Sequence, residues 1–100
     1  MSVFLIEPGT EPKRLDIAPT LANIRNALGC EDLERIPGLT EYEGEAADMY
    51  GDENAGFDRL PTNLRAIELR DGGLAKSGHR PSPNPVQGAV VILTGADRLS

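Results

Sequence analysis

Two uninterrupted apolar runs stand almost at opposite ends of the chain, Val3-Phe4-Leu5-Ile6 and Val90-Val91-Ile92-Leu93. Turn residues bound them: Pro8-Gly9 follows the first, and Gly88 and Gly95 flank the second. A strand with one wet face alternates polar and apolar side chains. A strand that is apolar at every position is covered on both faces. Both runs therefore predict central strands, expected to be neighbours in one sheet. In a chain of 100 residues that sheet belongs to one small domain, taken as residues 1–100. With 39% hydrophobic residues and 4% aromatic ones, the core is thin and aliphatic.

Between these runs the pattern changes repeatedly. Residues 2–7 predict a first strand. Residues 13–18, where Leu15 and Ile17 alternate with charged neighbours, predict a second that closes a hairpin with it. Thr20 then suits a helix N-cap, with Pro19 as a competing start. Leu21, Ile24, Ala27 and Leu28 fall on one helical face, and Gly29 sits where a left-handed C-cap belongs. Residues 33–36 predict a third strand stopped by Pro37-Gly38, and residues 46–50 a fourth. Residues 39–45 have no clear assignment. After Pro61 a short second helix is expected, capped by Thr62 or Asn63 and ended by Asp71-Gly72-Gly73. Residues 74–87 read as loop, and residues 88–95 as the last strand. The order β-β-α-β-β-α-β is α+β: a small mixed sheet of four to five strands with one main helix packed on one face.

Charge is distributed unevenly along the chain. The net charge is −6. Residues 31–58 contain ten acids and one base, Arg35, and so carry −9. Residues 59–100 carry +3 and residues 1–30 balance at zero. An acidic middle steers basic partners and disfavours direct nucleic-acid binding.

Few sequence features point to chemistry. His79 is the lone histidine, in a Gly/Pro/Ser-rich stretch with nothing nearby to orient it as a base. Cys30 is the lone cysteine, which excludes an internal disulfide and, with one histidine, an ordinary zinc site. Asp48, Asp52, Asn54 and Asp58 have calcium-ligand chemistry, but from Asp52 the required glycine position is Phe57 and the twelfth is Asn63. No phosphate-cradling glycine loop occurs. The first residues lack the basic flank of a signal peptide, and no run nears the roughly 20 apolar residues of a membrane span. The expectation is a cytoplasmic, non-enzymatic protein without cofactor or metal.

Three stretches carry a family resemblance: Ile6-Glu7-Pro8-Gly9, the segment from Tyr50 to Ala66 with Asp52-Glu53 and Leu60-Pro61-x-Asn63-x-Arg65-Ala66, and the closing Gly88 to Gly95 strand. Together they are similar to small phage and mobile-element proteins of the "domain of unknown function" family numbered 3846. Residues 39–47 and 74–87 depart from that pattern by their length, and the first also by its acidity. The resemblance implies a phage or prophage origin, an accessory role during infection and, if phage-encoded, action in the host cytoplasm. It implies no activity.

The favoured functional expectation is binding of a host protein through an acidic surface containing Glu41, Glu43, Glu45 and Asp48. A second is capture of a nucleotide-like small anion by Arg59, Asn63 and Arg65 near the start of the second helix. A third is mimicry of DNA, which needs carboxylates ranged along one surface. In the structural alternative, Arg65 pairs with Asp52 or Glu53. A homodimer through an open sheet edge is also compatible with the pattern.

Overall fold

A computed structural model describes residues 2–95. In chain order these form β1 (Val3–Ile6), β2 (Lys13–Leu15), α1 (Leu21–Leu28), β3 (Leu33–Ile36), β4 (Glu41–Tyr42), β5 (Glu45–Asp52), α2 (Leu64–Lys76) and β6 (Val90–Thr94). The sheet order is β2-β1-β6-β5-β3, with β4 paired to β5. The two apolar runs are indeed adjacent: Val3 lies opposite Leu93, and Ile6 opposite Val90. Their ends are clamped where the Ser2 N–H donates to Thr94 Oγ1 at 2.8 Å and the Thr94 N–H to the Ser2 carbonyl at 2.9 Å.

Alternation along β6 divides the core. Val91 and Leu93 face α1 with Val3 and Ile24. Val90 and Ile92 face the other way, with Ile6, Met49 and Ala66 of α2. The α+β class holds, and the helix α1 packs on one face as expected, with α2 covering the other. This explains why β6 has no polar residue before Thr94. Each fully buried aliphatic side chain in it contributes roughly 1.5–3 kcal/mol relative to exposure.

The helix signals near residue 20 hold in detail. The Asn23 N–H donates to Thr20 Oγ1 at 3.2 Å, and Gly29 is left-handed at φ +65°. Three local expectations change. Every pairing among the described strands is antiparallel rather than mixed. Residues 39–45 hold β4 and a two-residue turn, Glu43-Gly44, with φ of +52° and +78°. Such a turn normally advertises itself as Asn-Gly or Asp-Gly, and glutamate hides it. Finally, α2 does not end at Gly72-Gly73 but runs through both to Lys76. Gly73 is there for close approach: a Cβ on it would strike the Gly38 carbonyl oxygen and lie 2.9 Å from Leu39 Cα. The helix crosses directly over the backbone after β3, and only glycine lets it.

Candidate functional site

The residues expected to gather do not gather. In antiparallel pairs, opposed residues share a face. Glu41 lies opposite Ala46, whereas Tyr42 lies opposite Glu45. Since alternate residues of β5 point to opposite faces, Glu41 and Asp48 belong to the α1 side and Glu45 to the α2 side. Asp48 is engaged by Arg35 at 3.2 Å, and Glu43 sits at the hairpin tip. The four acids form no single surface, and the carboxylates of residues 31–58 are spread over both faces.

The proposed anion site also comes apart. Asn63 is 0% exposed. Its Oδ1 accepts the Ala66 N–H at 3.1 Å, capping α2 as expected, and its Nδ2 donates to the carbonyls of Ile6 and Gly88, both at 2.9 Å. This amide joins the start of α2 to the end of β1 and the approach to β6. No polar atom is left for a ligand. Arg65 pairs neither with Asp52 nor with Glu53 but with Glu11, at 3.3 Å. Together with Gly9, Thr10 and Leu64 these two line a shallow depression of about 460 Å³. Arg59 lines neither this depression nor the larger one. It lies exposed on the turn after β5, held left-handed at φ +55°.

The larger concavity, about 690 Å³, lies on the α2 side of the sheet beside β3. Ile36, Pro37, Leu74 and Val86 supply apolar lining. Glu34 and Glu53 bring carboxylates, while His79 and Arg80 stand on the loop that lines it. Its size is that of a ligand or side-chain pocket.

The loop over this cleft has no regular structure, yet it is tied down. Arg70, 4% exposed, donates from Nε to Asp71 Oδ1 at 3.0 Å. Its two terminal nitrogens donate to the carbonyls of Asn84 at 2.7 Å and Ser82 at 3.2 Å. The Ser82 N–H returns a bond to Asp71 Oδ1 at 3.3 Å. Charge-assisted bonds of this kind are stronger than neutral ones, so the wall is formed before any ligand arrives. They also consume the Arg70 charge. Asp52, opposite Leu33 and so turned to the α1 side, closes an Asx turn by accepting the Asn54 N–H on Oδ1 at 2.9 Å. That bond and the Arg35 pairing of Asp48 engage two of the oxygen donors that resemble a calcium loop. Among the described residues no three His, Cys, Asp or Glu side chains group to hold a metal ion.

Phe57 is 90% exposed on the same turn that supplies Ala55 and Gly56 to the cleft. Backbone bonds from Asp58 to Asn54, Arg59 to Gly56 and Leu60 to Ala55 fix that turn. Sequence reading passed over the cleft because its residues come from four separated stretches. The one local signal is the Arg70-Asp71 pair near the expected end of the second helix.

Away from the cleft, two side chains show ordinary effects of burial. Burial pushes the Cys30 thiol up, and the Asp52 carboxylate adds to the shift. Burial and Asp48 raise Tyr50 likewise.

A family model described as a domain of unknown function (DUF3846) matches residues 1–98. No curated protein and no solved structure matches the chain. No helix of the described residues is long and apolar enough to cross a membrane.

Proposed function

The chain belongs to the DUF3846 family, whose description assigns no activity, and we propose from the cleft that it is a non-enzymatic binding protein that takes a basic segment of a partner protein. The observation that carries this is the balance of free charge. Arg70 is spent on Asp71 and on the loop carbonyls. What remains is Glu34 and Glu53 against Arg80. A cation with an apolar stem matches the carboxylates and the Ile36, Leu74 and Val86 lining together. Phe57, exposed beside the cleft, is one of the aromatic side chains enriched at protein interfaces. The setting implied by the family resemblance makes a host protein the partner.

This keeps the acidic-surface expectation and moves its place from the Glu41–Asp48 region to the cleft. The spread of carboxylates over both faces counts against DNA mimicry. The full occupation of Asn63 counts against the small-anion reading.

The test is affinity capture from host lysate with three proteins: the unaltered chain, the Glu34→Lys/Glu53→Lys variant and the Glu41→Lys/Glu43→Lys variant. The cleft variant should lose the captured partner while the hairpin variant keeps it. Retention by the cleft variant removes the cleft from the account.

A further inference from the structure

We propose that the partner segment binds as an added antiparallel strand on the outer edge of β3, with the pattern apolar-x-basic along its cleft-facing side. This rests on the cleft reading above and specifies how that cleft is filled.

The edge is open and short. β3 ends the sheet order and pairs only with β5 among the described strands. Its four residues, Leu33-Glu34-Arg35-Ile36, contain no proline or glycine. Strand addition to such an edge takes its affinity from main-chain bonds and its specificity from alternate side chains.

Register then determines which side chains matter. Glu34 lies opposite Gly51 and Ile36 opposite Met49. Met49 belongs to the α2-side core, so Glu34 and Ile36 share that side, and both line the cleft. A residue of the incoming strand opposite Glu34 meets a carboxylate, with Glu53 on the same cleft. A residue opposite Ile36 meets Ile36, Pro37 and Leu74. These positions are two apart, and in an antiparallel strand the apolar one comes first. The intervening position faces the other side with Arg35, whose charge is already held by Asp48.

A second copy of this chain is a poor occupant. A two-fold antiparallel pairing of β3 with itself opposes Glu34 to Glu34 or Arg35 to Arg35, and like charges directly opposed are destabilising. Centring on Leu33 instead opposes Asp32 to Glu34, and centring on Ile36 brings in Pro37, which has no N–H to offer. The opposite edge of the sheet, β2, carries Lys13 and Arg14 and repels a basic strand. Of the two ends of the sheet order, β3 is the one that suits this partner.

The test uses a library of displayed nonapeptides, randomised throughout, selected on the immobilised full chain. Binding of the consensus peptide is then measured by fluorescence polarisation. The expected consensus contains apolar-x-basic. Glu34→Lys, an exposed change whose folding is checked by melting, should weaken binding by about tenfold or more. Methylating the peptide amides one at a time should weaken binding by about tenfold at alternate positions, where an N–H faces β3, and little between them. A basic consensus that is sensitive to Glu34→Lys but indifferent to N-methylation at every amide overturns strand addition and leaves the cleft reading standing. A consensus without a basic residue, or no enrichment above an unrelated protein, overturns both.

Discussion

Adjacent glycines in α2 should respond to alanine with opposite signs. Both lie well inside the helix, so each substitution gains about 1 kcal/mol of helix propensity. At Gly72 a Cβ meets nothing within 4 Å, and the gain stands alone. At Gly73 the Cβ meets the Gly38 carbonyl oxygen, Leu39 Cα at 2.9 Å and Gly38 C at 3.0 Å. All three are backbone atoms, so no side chain can rotate away and the helix must lift from the chain after β3. Overpacking costs roughly 1–3 kcal/mol where neighbours adjust. A rigid neighbour places this case near the upper end, for a net loss of about 2 kcal/mol. The two variants should thus differ by about 3 kcal/mol, which for a domain of this size is a Tm separation above roughly 10 °C. Urea unfolding followed by circular dichroism tests this: the midpoint should rise for Gly72→Ala and fall for Gly73→Ala, with unchanged slope. Gly73→Ala as stable as the unaltered chain would refute the close-approach argument. Equal destabilisation by both would instead indicate a helix that ends at these glycines.

Asn63→Ala removes the cap of α2 and leaves the Ile6 and Gly88 carbonyls without their side-chain donor, so a loss of about 3 kcal/mol or more is expected in the same unfolding assay. Asn63→Asp should not rescue it, because a carboxylate cannot donate to those two carbonyls. Arg70→Met keeps much of the buried stem but frees the loop at Ser82 and Asn84. Hydrogen exchange and limited proteolysis within residues 79–87 should accelerate, while amides of β6 stay protected. The thiol of Cys30, raised by burial and by Asp52, is predominantly protonated at pH 8, so it should react with iodoacetamide more slowly than a free cysteine there. Faster labelling than the free thiol would contradict the described environment.

Several elements were legible because their cause is local. The apolar runs of β1 and β6 announced a buried pair at the centre of the sheet, since no other arrangement covers every position of a strand. Thr20 and Gly29 announced the ends of α1, since a hydroxyl acceptor and a left-handed residue act within one turn of where they stand. Asn63 was legible as a cap for the same reason. Its other two bonds, to Ile6 and Gly88, join segments distant in sequence, and no local rule contains them. Gly73 misled because a glycine that ends a helix and a glycine that admits a neighbouring backbone are identical in sequence. Only the crossing of α2 over Gly38 and Leu39 distinguishes them. The acidity of residues 31–58 was determined by sequence alone, but its meaning was not. Strand alternation divided those carboxylates between two faces, and the fold then brought Glu34 and Glu53 to a cleft whose other wall comes from α2 and the loop that Arg70 holds. Charge is a property of the chain, whereas its direction is set by register and packing, and those belong to the tertiary structure.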